Sequence, residues 1–102
     1  MQQYNIEFSE IAIEDINQLH YVIEFQYKSP LTAFRYGQGL INEIKKLRYT
    51  ADALPLQTRK SLTRYANNVR RLNYKRIAII YSISAGTVYI LRVIPANAIA
   101  GL

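Results

Sequence analysis

The stretch RIAIIYSISAGTVYILRVI, residues 76–94, decides how this chain is read. Two dense runs of β-branched and aromatic residues, Arg76 to Ile83 and Thr87 to Ile94, flank Ser84-Ala85-Gly86. Such side chains suit a pleated, half-buried surface, and a short Gly-containing break between two of these runs is a hairpin turn. The pattern predicts two adjacent antiparallel strands, the first dense enough to be central. Just upstream, Asn67-Asn68 signals a turn and Val69 to Leu72 a further strand, so the C-terminal third is a meander.

The N-terminal half has a different period. Tyr4, Ile6 and Phe8 alternate with Asn5 and Glu7, which predicts a short half-buried strand. Ser9 is suited to cap a helix, and Glu10 suits its positive end. Ala12, Ile16, Leu19, Ile23 and Tyr27 then recur at steps of three and four, the apolar stripe of an amphipathic helix. Ser29-Pro30 offers a second cap with proline at the first helical position. A second stripe follows at Ala33, Phe34, Gly37, Leu40, Ile41, Ile44 and Leu47. So short a connection predicts two antiparallel helices packed as a hairpin. Gly37 and Gly39 each cost about 1 kcal/mol against alanine inside a helix; close helix contact or a local bend would account for them. Ala51 to Asn68, interrupted by Leu54-Pro55-Leu56, reads as loop plus one short helical segment. One sheet with a helical hairpin on one face buries both stripes, a two-layer α+β sandwich spanning residues 1–102 as a single domain.

Half of the 102 residues are apolar, which argues against disorder. No apolar run approaches the roughly 20 residues a membrane-spanning helix requires, and no signal-peptide pattern opens the chain, so a cytoplasmic protein without a membrane partner is expected. With no cysteine and His20 alone, zinc is not expected, nor is any cofactor. Charge divides the chain unequally. Residues 1–51 hold five Lys/Arg against six acids, whereas residues 52–102 hold eight against Asp52 alone. An unneutralised basic surface concentrates polyanions or an acidic protein.

Individual residues sharpen this. Arg70 and Arg71 are successive strand positions and point to opposite faces, one toward a partner and the other toward solvent. Tyr81 and Tyr89 read as half-buried packing residues, while Tyr74 is open to packing or to base stacking. His20 has no nucleophile elbow near it, so a triad is set aside. Glu10 and Glu14 share an outer helix face, and Gly37-x-Gly39 lacks the rest of any phosphate-binding fingerprint.

In this order the residues resemble a known family. The run Tyr4-Asn5-Ile6-Glu7-Phe8-Ser9, Ser29-Pro30-x-x-Ala33 opening a long second helix, and Leu47 through Pro55 are similar to the first half of RelE/ParE toxins. Val69-Arg70-Arg71-Leu72, Ile77 to Ile83 and Thr87 to Ile94 are similar to the family's last three strands. The resemblance implies the toxin of a type II toxin–antitoxin, or plasmid stabilisation, system, neutralised by an antitoxin in a hetero-oligomer, with homodimerisation also open. RelE-like members cut messenger RNA on the ribosome, and ParE-like members are associated with DNA gyrase. For a binding surface the resemblance marks Arg70, Arg71, Tyr74, Lys75, Arg76 and Arg92; for nuclease chemistry, Arg70, Arg71, Lys75, Arg76 and Tyr74. Two departures favour the ParE-like, non-enzymatic reading. Ala78 stands where the family's strand arginine is customary, with Arg76 displaced from it, and Pro95-Ala96-Asn97-Ala98 replaces the usual histidine or basic pair. The same departures fit a toxin that keeps only antitoxin binding.

Overall fold

The structure, a computed structural model, describes residues 3–98. Strand β1 (Asn5–Phe8) leads into helix α1 (Glu10–Tyr27) and helix α2 (Pro30–Lys45). A short helix α3 (Leu47–Thr50), a 3-10 turn (Ala51–Ala53) and a second short helix α4 (Lys60–Thr63) follow. Strands β2 (Val69–Tyr74), β3 (Ile77–Ser84) and β4 (Thr87–Pro95) then form the meander, and Ala96–Ala98 is a last 3-10 turn.

Both serine caps are formed. Ser9 Oγ accepts from the Ala12 amide at 3.0 Å, and Ser29 Oγ from the Thr32 amide at 3.2 Å, with Pro30 opening α2. Between the helices Lys28 adopts the left-handed conformation at φ 50° and stops α1. The 84–87 reversal is a two-residue turn in which Ala85 and Gly86 both have positive φ, 49° and 79°. Turns of this hand match the twist of the strands they join.

The sheet order is β1-β4-β3-β2. The meander is antiparallel as expected, but β1 pairs with β4 in parallel, Asn5 opposite Thr87 through Phe8 opposite Ile90, so the sheet is mixed. Only a crossover through the whole chain places β1 there. Along β3 and β4 the register slips: Tyr81 faces Ile90 while Ile80 faces Arg92, leaving Leu91 as a bulged extra residue. Ser9 secures that bulge, donating its hydroxyl to the Leu91 carbonyl at 3.0 Å while its amide donates to the Ile90 carbonyl.

On the helix side of the sheet the core gathers Ala12, Leu40, Ile44, Leu47, Ile79, Tyr81, Val88 and Ile90. The opposite side carries a smaller cluster, Leu62, Val69, Ala78, Ile80 and Ile94, with Tyr65, Ala66 and Leu91 against it. Thus α4 and Tyr65 cover the far face, and the stretch that the sequence leaves as loop supplies a second layer of packing. Two expectations about the stripes are corrected. Phe34 and Tyr27 are 58% and 59% exposed, and the buried side of α2 runs Ala33, Tyr36, Leu40 and Ile44 instead. The helix also ends at Lys45, whose successor Lys46 donates its amide to the Glu43 carbonyl, so Leu47 reaches the core from α3.

Candidate functional site

The basic half of the chain is dispersed over several parts of the sheet. On β2, Arg70 turns toward the helix side, where its guanidinium donates to the Asp52 carbonyl at 3.1 Å and to that of Leu54. It therefore ties down the loop that the isolated bridge Leu56–Arg70 also holds. Arg71 points to the far side, with Nε donating to Asn73 Oδ1 at 2.7 Å. Together with Leu54, Gln57, Arg59 and Leu62 these two line an open groove of about 530 Å³ at the margin of the far face.

The β2–β3 turn forms a second group. Lys75, at φ 52°, holds its ammonium 5.2 Å from the Tyr36 ring centroid and 5.4 Å from that of Tyr74. The two rings meet edge to face at 5.5 Å. Such a cation is attracted by the negative ring faces. Burial, and then the neighbouring phenols of Tyr74 and Tyr27, push the Tyr36 hydroxyl above its ordinary pKa. Arg76 is exposed beside Lys75 and its carbonyl accepts from the Ala96 amide at 2.8 Å. Lys75, Arg76, Ile77, Pro95, Ala96 and Asn97 enclose a groove of about 560 Å³.

Gly39 explains why Tyr74 sits there. A Cβ at Gly39 would overlap the Tyr74 hydroxyl oxygen, whereas one at Gly37 meets nothing within 4 Å. The close approach made by α2 at Gly39 is thus to a strand side chain. Gly39→Ala is expected to destabilise the fold by about 1–3 kcal/mol through overpacking, despite the roughly 1 kcal/mol alanine gains in a helix. In a Tyr74→Phe background the loss should shrink markedly; equal losses in both backgrounds, measured by urea denaturation, would refute the contact.

Arg92 stands apart. Its Nε and Nη2 donate to Asp15 of α1 at 2.7 and 3.1 Å, which raises its pKa further. Its guanidinium carbon also lies 5.8 Å from the Tyr65 ring, whose other neighbour is Arg64 at 5.0 Å. Arg64 additionally donates to the Tyr65 hydroxyl at 2.9 Å.

Of the six residues the sequence marks, Tyr74, Lys75 and Arg76 come together at one end of the sheet. Arg71 lies on the far side with Arg59, Arg70 braces a loop, and Arg92 joins sheet to helix. Arg59, Arg64, Tyr65 and Tyr36 were missed. The first three fall in the stretch with no period to read, but Tyr36 could have been found from its steps of three and four to Ala33 and Leu40. The charged groups in these grooves, Arg59, Arg71, Lys75 and Arg76, are donors suited to binding carboxylates or phosphates. His20 lies away from them on α1, 3.3 Å from Glu24. Among the described residues no cluster of three or more His, Cys, Asp or Glu could hold a metal ion.

The strand, two-helix hairpin and three-stranded meander, with the last strand taking the first as its parallel neighbour, have counterparts among chains from toxin–antitoxin structures. A chain from the structure of the chromosomal ParDE toxin–antitoxin system of P. aeruginosa superimposes with a TM-score of 0.76 at 15% identity, over 91% of this chain and 96% of that one. A chain of the RelBE2 toxin–antitoxin complex of Mycobacterium tuberculosis does so with a TM-score of 0.63 at 18% identity, over 91% and 98%. At such identities the likeness is one of fold. No model of a protein family matches the sequence, and no curated protein does.

Proposed function

We propose that this chain is the toxin of a type II toxin–antitoxin pair, ParE-like in acting by binding a macromolecular target such as DNA gyrase, and held inactive by an acidic antitoxin. The observation that carries this reading is the superposition on the ParDE chain over nearly the full length of both. Support for binding over cleavage comes from the β3 position where a strand arginine would serve cleavage chemistry: it is Ala78, wholly buried under α4 and Tyr65. The absence of any acid after Asp52 supports a partner of opposite charge.

A RelE-like endonuclease is the second reading, favoured by the groove in which Arg59, Arg71, Gln57 and Asn73 converge. Two guanidinium groups in one cleft suit a phosphate, although general base chemistry would still need a proton acceptor.

The experiment is induction of this chain alone in a bacterium, beside an Arg71→Ala, Lys75→Ala, Arg76→Ala variant that spares the loop-bracing Arg70. The expected result is growth arrest that the variant relieves and that the acidic protein encoded beside it reverses. DNA breaks with intact transcripts support gyrase as target; transcripts cut during translation support the nuclease. No arrest by a folded protein in a suitable host overturns both, leaving a copy that only binds its antitoxin.

A further inference from the structure

The outer side of α1 carries an apolar stripe flanked by opposite charges. Tyr21, Glu24, Phe25 and Lys28 stand at helical steps of three, one and three, which places all four on one face. With Pro30 at the start of α2 they line an open groove of about 440 Å³. Phe25 is 84% exposed and Tyr21 70%. An aromatic pair so exposed on a small protein marks an interaction surface.

Its charge pattern indicates the occupant. The groove holds one carboxylate and one ammonium, so neither a strongly acidic nor a strongly basic partner finds a complement there. Glu24 is 3.3 Å from His20, and Lys28 has no ion-pair partner among the described residues. We propose that this face binds a second copy of this chain, with the two α1 helices crossing antiparallel about a two-fold axis between Glu24 and Phe25. That register sets Tyr21 opposite Lys28 of the second copy, twice over, and stacks the two Phe25 rings near the axis. It also brings each Glu24 within one helical turn of the other copy's Lys28. A two-fold interface must be self-complementary, and one carboxylate with one ammonium per copy makes this stripe so in sign. The proposal does not depend on the toxin reading, because the half of the chain it uses is the nearly neutral one.

The test is the mass of the full chain alone, by sedimentation equilibrium and light scattering at about 10–100 µM, a range in which weak specific dimers are populated. A dimer is expected. Phe25→Asp should give a monomer with unchanged circular dichroism, since the ring is exposed and its loss leaves the core intact. Glu24→Lys should raise the dimer Kd about tenfold or more, and Glu24→Lys combined with Lys28→Glu should recover it. A monomer throughout that range overturns the proposal, as does a dimer indifferent to Phe25→Asp or a double swap no better than the single one. A monomeric chain whose Phe25→Asp variant instead loses a co-purifying acidic protein would assign the groove to that protein and equally overturn it.

Discussion

Tyr81→Ala is expected to remove about 4–6 kcal/mol of folding stability. The ring is wholly buried in the core between sheet and helices, and its hydroxyl donates to the Ala51 carbonyl at 2.7 Å. Truncating a buried aromatic costs about 3–5 kcal/mol and losing a buried hydrogen bond about 1 more. Domains of this size are stable by about 5–15 kcal/mol in total. Tyr81→Phe keeps the packing and isolates the bond; it should cost about 1–3 kcal/mol in urea denaturation because the Ala51 carbonyl is left unsatisfied. Alkaline pH gives an independent check. Burial pushes the Tyr81 phenol up to about 12, with Arg70 lowering it and Asp52 raising it to smaller extents. In the unfolded chain a tyrosine loses its proton near pH 10, so the folded state holds a proton that the unfolded state has released. Stability from this group is intact below about pH 10 and is lost as pH rises toward about 12. The decline should be steeper in the parent protein than in Tyr81→Phe; parallel pH curves would show that Tyr81 does not titrate as its burial requires.

Asp15→Ala is expected to have the next largest effect. Opposite Ile90 the first strand ends, and from there to Pro95 the edge of β4 has no strand beside it. Asp15 fills that gap from α1: one oxygen accepts from the Val93 amide at 3.0 Å and from Arg92 Nε, the other from Arg92 Nη2. The carboxylate side chain is only 14% exposed and the guanidinium 30%. Removing it orphans a backbone donor and a half-buried cation together, at about 2–4 kcal/mol. A fall in Tm of about 10 °C or more should follow. Arg92→Lys should recover little of the parent stability, because an ammonium cannot engage both oxygens as the planar fork does. Were Asp15→Ala to melt within about 2 °C of the parent, the pair would be an ordinary surface contact.

The fold was legible where local chemistry determines it. Ser9, Ser29 and Pro30 announce the helices because a cap acts on its own next few residues, and Ala85-Gly86 announces the hairpin because only certain residues tolerate positive φ. What could not be read is non-local. Nothing in Asn5 to Phe8 specifies a parallel seat beside Thr87 to Ile90. The far-face layer of Leu62 and Tyr65 comes from a stretch without a period. Apolar character alone reads Phe34 as core, yet its ring is exposed; Tyr36, two residues on and amphipathic, is the residue that turns inward. The candidate site was legible as a basic half but not as a map. Arg70 and Arg92 look like partner-binding arginines in sequence, yet each meets carbonyl or carboxylate acceptors contributed by distant segments.

The seating of β1 against β4 also sets an order of events in time. β2, β3 and β4 can zip together through two tight turns at little entropic cost, whereas joining Asn5 to Thr87 closes a loop that takes in both long helices and the other two strands. A ribosome delivers Phe8 long before Ile90, so the helical hairpin must wait, its apolar side uncovered, until the last strand has emerged. The slow step in forming the native sheet is therefore expected only once β4 has emerged, and the nascent chain is most exposed to chaperones and proteases just before it.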